Sequence, residues 1–142
     1  MAHVFETTRR VQFAETDAAG VLHFSNYYRI MEEVEHAFWR SLGMSVIWKE
    51  GEGEVSWPRV ATGCEYYAPV RFEDELELAL RITHLGDRSL SFEVSFRHGG
   101  ALVALGRTTA VCCTMRGGRF GPAAVPDAVR SKISPLVDSE SR

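Results

Sequence analysis

The sequence lacks the features that define several large classes of protein. It has no apolar run near the roughly 20 residues that a membrane-spanning helix requires. Its formal net charge is only −3, which gives no bulk attraction to nucleic acid or to anionic lipid. The first residues, Met1–Glu6, show no basic stretch followed by an apolar one, so no leader is recognised and the cytoplasm is the expected compartment.

Cysteine is scarce as well. The three cysteines, Cys64, Cys112 and Cys113, form an odd set without a Cys-x-x-Cys spacing. We therefore expect neither a disulfide framework nor a zinc site, and no other bound metal. Small buried thiols in a reducing compartment are the expected role for all three.

What is present is typical of one compact globular unit. The chain has 142 residues, of which 45% are hydrophobic and 25% are charged. These values are ordinary for a domain with a single core. We expect residues 1–142 to form one domain.

Two periodic segments open the chain. Residues Val4–Phe13 alternate in character, with Arg9 as the one misfit, which predicts a half-buried strand. The small and polar residues of Ala14–Phe24 predict a loop. Apolar residues then recur every three or four positions in Tyr27–Leu42, which predicts an amphipathic helix of about four to five turns.

The predicted helix has recognisable ends and a polar stripe. Ser25 or Asn26 can cap its start, and Gly43 can take the left-handed conformation that ends a helix. The apolar stripe is wide enough to require a large partner surface. The polar stripe, which we expect to face solvent, contains Arg29, Glu32, Glu33, Glu35, His36 and Arg40.

Most of the remaining chain predicts antiparallel strands. Alternation predicts strands over Glu75–Ile82 and Leu90–Arg97, joined by a turn at Gly86–Arg88. A second turn at His98–Gly100 precedes Ala101–Met115, whose small and apolar residues are typical of a central strand.

The segments on either side of these strands are less regular. Lys49–Glu54 is a glycine- and acid-rich link into the strand segment Val55–Tyr67, where Pro58 favours an edge or irregular position. Pro126–Ile133 predicts a short helix. The order of elements predicts an α+β fold with a five-stranded antiparallel sheet curled round one helix. Because one helix cannot cover both faces of that sheet, we expect at least a homodimer.

A carboxylate precedes the predicted helix at a suggestive distance. Asp17 is followed by Gly20 and then by the start of the helix. Helix N-termini expose unpaired N–H groups and partial positive charge, which suit an oxyanion. A carboxylate facing them could attack a carbonyl or activate water. An Asp before a helix also serves as a cap or turn residue; Glu15 offers the same chemistry nearer the strand.

The segment Phe13–Tyr27 resembles the signature of hotdog-fold acyl-CoA thioesterases of the 4-hydroxybenzoyl-CoA thioesterase family, including the branch associated with the Tol-Pal system. The similarity continues through Glu65–Val70, through Asp87–Leu90 and to Val125–Pro126. It therefore covers most of the chain, and the segment from Asp17 to Tyr27 is its most specific part.

The resemblance implies a single hotdog domain in which the sheet wraps around one long helix. It implies edge-to-edge dimers, often paired into tetramers, with active sites at the dimer interface. The implied reaction is hydrolysis of an acyl-CoA thioester to a free acid and CoA, without a cofactor because CoA is part of the substrate. Asp17 matches the nucleophile or general base, and the backbone N–H of Phe24 matches the oxyanion site, with Gly20 in the same catalytic turn.

Further residues are candidates for contact with the substrate, some from the resemblance and some from their chemistry alone. The Tol-Pal branch usually has its histidine at the position of Phe24, whereas this chain has His23 one residue earlier. We therefore expect His23 to line the acyl pocket. Phe24, Asn26, Tyr27, Trp48 and Trp57 are additional candidates for the acyl pocket. Arg88 and Ser89, in a turn near the nucleotide end of CoA, and Arg116 with Arg119 are candidates for its phosphates.

Two other functions remain compatible with the sequence. A hydratase or dehydratase on an acyl thioester needs a histidine and a carboxylate facing one carbon. His36 and Glu32 are four residues apart on one helix face, but that face is expected to meet solvent. A non-catalytic module that binds acyl-CoA is the other alternative, against which the presence of Asp17 argues.

Overall fold

The structure, a computed structural model, describes residues 3–51 and 53–138. In chain order its elements are β1 (Phe5–Arg10), α1 (Asn26–Ser41), β2 (Trp48–Glu50), β3 (Gly53–Ser56), β4 (Arg59–Tyr66), β5 (Glu75–Leu85), β6 (Ser89–His98), β7 (Ala101–Val111), β8 (Cys113–Arg116), β9 (Arg119–Pro122) and α2 (Asp127–Ile133). Short 3-10 turns cover Phe13–Glu15 and Ser134–Leu136.

The main sheet has five strands in the order β1-β5-β6-β7-β4, and all neighbours are antiparallel. The predicted meander of β5, β6 and β7 is confirmed, with its two turns in the predicted places. The strand β7 is paired on both sides, although β6 is the middle strand. The strand β4 lies at an edge, as Pro58 just before it predicts.

The helix α1 packs its apolar stripe on this sheet, as predicted. Tyr27, Ile30, Met31 and Val34 are all buried. At Gly106 of β7 an added Cβ would lie 2.4 Å from the sulfur of Met31, so the Met31 side chain packs directly on the glycine and would have to shift to admit a larger residue there. The helix ends at Gly43, whose φ of +74° is the expected left-handed conformation.

The prediction of a single sheet is incomplete, because the structure has a second sheet of four strands in the order β2-β3-β8-β9. The expected link Lys49–Glu54 was wrong, since most of this segment belongs to the hairpin of β2 and β3. The expected single strand Ala101–Met115 is divided at Cys112. The N–H of Cys112 turns to the carbonyl of Arg88 at 2.6 Å, and the pairing resumes between β3 and β8. The short helix near Pro126 is confirmed as α2.

The first strand is shorter than its sequence pattern suggests. It ends at Arg10, and Phe13, expected on its buried side, is 74% exposed in the following 3-10 turn. Arg9, the misfit of the pattern, lies on the half-buried side of β1. It is tolerated there because it pairs with Glu15 and Glu33.

Glu35 was expected on the solvent-facing stripe of α1, and that expectation was wrong. The residue is 2% exposed. Its carboxylate accepts a hydrogen bond from Trp39 Nε1 at 3.2 Å and forms an ion pair with Arg59 of β4. A charge is stable at such depth only when it is paired and hydrogen-bonded, and this partner comes from a residue 24 positions away.

The face of the main sheet that carries the alternating polar residues bears a line of ion pairs, which we call the polar row. Arg81 pairs with Asp138 and, at 2.9 Å, with Glu93. Arg107 pairs with Glu93 at 3.3 Å and with Glu65 at 2.9 Å. The polar row therefore crosses the sheet from the C-terminal segment to the edge strand β4.

Burial was predicted for all three cysteine thiols. Cys112 and Cys113 are buried free thiols, as predicted, whereas Cys64 is only half-buried. Within the described residues, neither helix combines the length and the apolar character needed to cross a bilayer.

Candidate active site

Asp17 lies in a tight turn that precedes α1. Its N–H donates to the carbonyl of Val21, and its own carbonyl accepts from the N–H of Gly20, each at 2.9 Å. Its Oδ1 accepts from the N–H of Ala19 at 2.8 Å and of Val21 at 3.4 Å. No described residue donates to Oδ2. One carboxylate oxygen is therefore held by the turn and the other is open.

The turn depends on Gly20. Its φ of +78° lies in the left-handed region that side chains disfavour. The space around it is not crowded, since an added Cβ would lie 3.9 Å from the Arg71 guanidinium. Glycine is therefore required at this position by the backbone conformation, and not because a side chain would clash with a neighbour.

Asp17 borders a cavity of about 400 Å³ beside the start of α1. Of the predicted site residues, Phe24 and Tyr27 line the same cavity. The end of β4 and the residues after it also line this cavity, although none of them was a predicted site residue. The other lining residues are Val21, Leu22, Tyr66, Tyr67, Ala68 and Pro69.

The backbone N–H of Phe24 has no acceptor among the described residues. Its neighbours on both sides are bonded: His23 N–H donates to the carbonyl of Glu15 at 2.9 Å, and Ser25 N–H donates to the His23 ring at 3.2 Å. The unpartnered donor lies at the N-terminal end of a helix of 16 residues, where the helix contributes partial positive charge. A negative charge that develops within hydrogen-bond distance of this N–H would be stabilised.

Tyr66 connects the edge strand to this helix start. Its hydroxyl donates a hydrogen bond to the carbonyl of Phe24 at 3.1 Å, and its ring meets the ring of Tyr27 edge-on at 4.8 Å. Burial, together with the neighbouring Cys64, raises the pKa of Tyr66 above the ordinary tyrosine value. The phenol is therefore protonated at neutral pH and acts as a donor. Tyr66 was not a predicted site residue. The feature of the sequence that could have identified it is the resemblance over Glu65–Val70.

Glu15 is not at the cavity, although its position in the sequence made it an alternative to Asp17. Its carboxylate is bound by Arg9, with Nη1 to Oε1 at 2.7 Å. Burial alone would raise the pKa of Glu15, but the hydrogen bonds from Arg9 and from the N–H of Gln12 outweigh burial, and the pKa is lowered. Glu15 is therefore a fixed, ionised partner and a poor general base.

His23 and Asn26, predicted to contact substrate, are engaged within the loop in this single chain. The His23 ring lies 2.8 Å from the Ser25 hydroxyl and stacks on Phe24 at 4.5 Å. The Asn26 amide donates to the carbonyl of Glu15 at 2.8 Å. Neither residue lines the cavity, and the side chain of Ser25 makes no capping bond to the helix.

The remaining predicted contacts lie away from this cavity. Trp57 is 6% exposed and stacks on Trp39 in the core. Arg88 and Ser89 lie at the turn before β6 and the start of that strand. Arg116 ends β8 and extends its side chain over Gly53. None of these four residues lines the cavity that contains Asp17.

The alternative pair on α1 is not assembled into a site. Glu32 is exposed, whereas His36 borders a separate cleft of about 300 Å³ between β1 and α1, which Glu32 does not line. Across residues 3–51 and 53–138, no cluster of three or more His, Cys, Asp or Glu side chains has an arrangement that could hold a metal ion.

Comparisons with known proteins agree with this architecture. The family described as the thioesterase-like superfamily matches residues 11–133. A crystal structure of a hypothetical protein from Thermus thermophilus is 31% identical and covers 94% of this chain and 97% of its own, with a TM-score of 0.81.

Two similar proteins have named activities. A structure of a gentisyl-coenzyme A thioesterase is 28% identical and covers 89% of this chain and 99% of its own, with a TM-score of 0.76. A 1,4-dihydroxy-2-naphthoyl-CoA hydrolase from Synechococcus elongatus is 29% identical over 109 residues, which are 76% of this chain and 80% of that protein.

Proposed function

The chain belongs to the thioesterase-like superfamily, with its hotdog-like fold, and we propose that it hydrolyses an acyl-CoA thioester to a free acid and CoA. The observation that carries this proposal is that Asp17, with an open carboxylate oxygen, and Phe24, with an unpartnered N–H, line one cavity. The names of the two similar proteins, each of which acts on a CoA thioester, support it.

In the proposed reaction the thioester carbonyl oxygen accepts the N–H of Phe24 at the positive end of α1. Asp17 then either removes a proton from an attacking water or attacks the carbonyl carbon itself. The tetrahedral intermediate collapses by breaking the carbon–sulfur bond, and the CoA thiolate leaves and takes up a proton. After direct attack, water hydrolyses the acyl–Asp17 anhydride. Both routes consume one water and give one acid and one thiol.

We propose that the acyl group is aromatic, of the benzoyl or naphthoyl type. Four of the residues around the cavity carry aromatic rings: Phe24, Tyr27, Tyr66 and Tyr67. Such rings pack on a flat aryl group by offset or edge-on contacts, and a tyrosine hydroxyl can also bond to a ring hydroxyl. The 4-hydroxybenzoyl group is one member of this class. Arg88, Ser89 and Arg116 stay our proposed contacts for the CoA phosphates.

We propose further that β4 edges of two copies pair in a homodimer. The strand β4 is a terminal strand of the main sheet, and most of its residues are exposed, including Val60 at 60%. An uncovered edge of eight residues is a template for pairing with another strand. A lysine at Val60 should convert a dimer to a monomer in light scattering, whereas the exposed Thr8 of the opposite edge strand should accept lysine without a change in mass.

Thiol release from a panel of CoA esters tests the catalytic proposal. The panel contains benzoyl-CoA, 4-hydroxybenzoyl-CoA, 1,4-dihydroxy-2-naphthoyl-CoA, hexanoyl-CoA and acetyl-CoA, and we expect turnover of the aryl esters. Asp17→Asn keeps an Oδ1 acceptor for the turn but removes the carboxylate, so kcat should fall by about 10²–10⁴-fold with folding intact.

Asp74→Asn is the matched control. Asp74 also accepts a backbone N–H through its side chain, from Arg71 at 2.8 Å, but it does not line the cavity. Its variant should keep wild-type kcat. Wild-type rates in Asp17→Asn would contradict the role of Asp17. Binding of the esters without thiol release would instead indicate a non-catalytic module, and hydration of an enoyl-CoA ester added to the panel would indicate a hydratase.

A further inference from the structure

Glu15 lies two residues before Asp17, and its side chain is held by three hydrogen bonds from two residues. Arg9 binds both carboxylate oxygens, with Nη1 to Oε1 at 2.7 Å and Nη2 to Oε2. The N–H of Gln12 donates to Oε1 at 2.8 Å. The Arg9 and Glu15 side chains are only 16% and 15% exposed, so solvent screens their attraction weakly.

The backbone carbonyl of the same residue closes the loop that contains Asp17. It accepts the N–H of His23 at 2.9 Å and the side-chain amide of Asn26 at 2.8 Å. His23 directly precedes Phe24, and Asn26 is the first residue of α1. Glu15 therefore connects the Asp17 turn to both sides of the Phe24 N–H.

Arg9 extends this connection to the rest of the fold. It lies on β1, and its Nε donates to Oε1 of Glu33 on α1 at 2.7 Å. One guanidinium thus bridges the edge strand, the loop and the helix. Burial and the two carboxylates act on Arg9 in opposite directions, and the carboxylates prevail, so the pKa of Arg9 is raised and its charge is permanent.

We propose that Arg9 and Glu15 are positioning residues that fix the Asp17 carboxylate relative to the Phe24 N–H; this inference rests on the proposed function. Neither side chain lines the cavity, so neither touches the substrate. Their effect passes through the loop, because misplacement of a reacting group by about 1 Å can cost about 100-fold in rate. Loss of the pair should therefore lower kcat and leave KM nearly unchanged.

The test compares Glu15→Gln with Glu75→Gln. Glu75 pairs with Arg10, the neighbour of Arg9 on β1, at 3.6 Å, and its side chain is 51% exposed, so the same chemical change is made outside the loop. We expect Glu15→Gln to lower kcat by about 10- to 100-fold with KM within about threefold, and Glu75→Gln to match the wild type. Arg9→Met should behave like Glu15→Gln, and Arg9→Lys should restore part of kcat.

The double variant Arg9→Met/Glu15→Gln adds a second readout. Because the two residues act as one unit, its kcat should fall little below that of the worse single variant. Wild-type kcat in Glu15→Gln would overturn the inference, as would fully multiplicative losses in the double variant. A loss of about 10³-fold or more in Glu15→Gln would also overturn it, since a loss that deep is expected for the base itself.

Hydrogen exchange separates this inference from the proposed function. Amide exchange in residues 17–27 should be faster in Glu15→Gln than in Glu75→Gln, with the rest of the chain unchanged. If the wild type cleaves no ester but this exchange is accelerated, the proposed function is wrong and the structural link stands. Unchanged exchange in residues 17–27 would refute the link whatever the activity.

Discussion

The hydroxyl of Tyr66 donates a hydrogen bond to the backbone carbonyl of Phe24 at 3.1 Å, across 42 positions of sequence. The edge strand β4 is thereby joined to the residue whose N–H is the proposed oxyanion donor. A substrate carbonyl at that N–H would depend on a contact that no local sequence pattern creates.

The Tyr66→Phe variant isolates this contact. It keeps the ring that meets Tyr27 but removes the hydroxyl, and one hydrogen bond contributes about 1 kcal/mol. We expect kcat/KM for an aryl-CoA ester to fall about fivefold and the melting temperature to fall by a few degrees. Thiol release and a thermal melt of the same preparation measure the two quantities. An unchanged kcat/KM would mean that the hydroxyl does not position Phe24.

Gly20→Ala tests the catalytic turn. The substitution forces a side chain into a left-handed conformation at φ +78° and should cost about 1–2 kcal/mol of folding free energy. Because Gly20 lies beside Asp17, kcat should fall as well. Gly43→Ala provides the comparison, since Gly43 has φ +74° with no atom within 4 Å of an added Cβ.

Gly43→Ala should lose similar stability but keep kcat, as measured by urea unfolding and thiol release. An equal loss of kcat in both glycine variants would show that general destabilisation, and not the turn, lowers the rate. Gly20→Asn should be the milder substitution, because asparagine tolerates the left-handed region.

The Arg9–Glu15 pair predicts a specific dependence of stability on pH. The pKa of Glu15 is lowered from its ordinary value of 4.5, since hydrogen bonds from Arg9 and Gln12 outweigh the effect of burial. A lowered pKa in the folded state stabilises the protein above pH 4.5, and this contribution is lost as the pH falls through the folded-state pKa. Urea unfolding of the wild type and Glu15→Gln from pH 7 to pH 3 measures it.

The difference in unfolding free energy between these two proteins should be constant above about pH 5.5 and should narrow below pH 4.5. Glu75→Gln should differ little from the wild type across the range, because its ion pair is exposed. If the difference in unfolding free energy between the wild type and Glu15→Gln widened toward low pH, the predicted lowering of the Glu15 pKa would be contradicted.

The buried pair of Glu35 and Arg59 predicts an asymmetric response to mutation. Arg59→Met leaves a carboxylate that is 2% exposed without its ion-pair partner, which should cost about 3–5 kcal/mol. The double variant Glu35→Met/Arg59→Met removes both charges and should recover part of that loss. Arg10→Met breaks an exposed pair and should cost about 0–1 kcal/mol. Chemical denaturation measures the free energy of unfolding of the three variants. A double variant less stable than Arg59→Met would contradict the predicted order of stability.

Local periodicity predicted the elements that local sequence controls. The helix from Asn26 to Ser41, its end at Gly43 and the hairpins joining β5, β6 and β7 all follow from patterns within a few residues. The failures share a cause at longer range. Glu35 looks like a surface residue because its partner Arg59 lies on another element, and the division of β7 from β8 at Cys112 depends on where the chain meets Arg88.

The residues of the candidate site also form two groups, one local in sequence and one brought in by strand pairing. Asp17, Phe24 and Tyr27 lie within one short segment, and the structure places all three around one cavity. Tyr66 and Tyr67 reach that cavity only because β4 pairs with β7 at the edge of the sheet, so a motif could mark them but not place them. The predicted roles of Asp17 and Phe24 in catalysis stay predictions until the variants are measured.

The polar row restricts how the strands can align during folding. Arg81 lies opposite Glu93, and Glu93 lies opposite Arg107. A one-residue slip of β6 against its neighbours would turn Glu93 toward the apolar layer beneath α1, away from both arginines. Misaligned sheets are thus penalised at several points at once, so the charges on this face select one strand register among the many that hydrophobic collapse alone would allow.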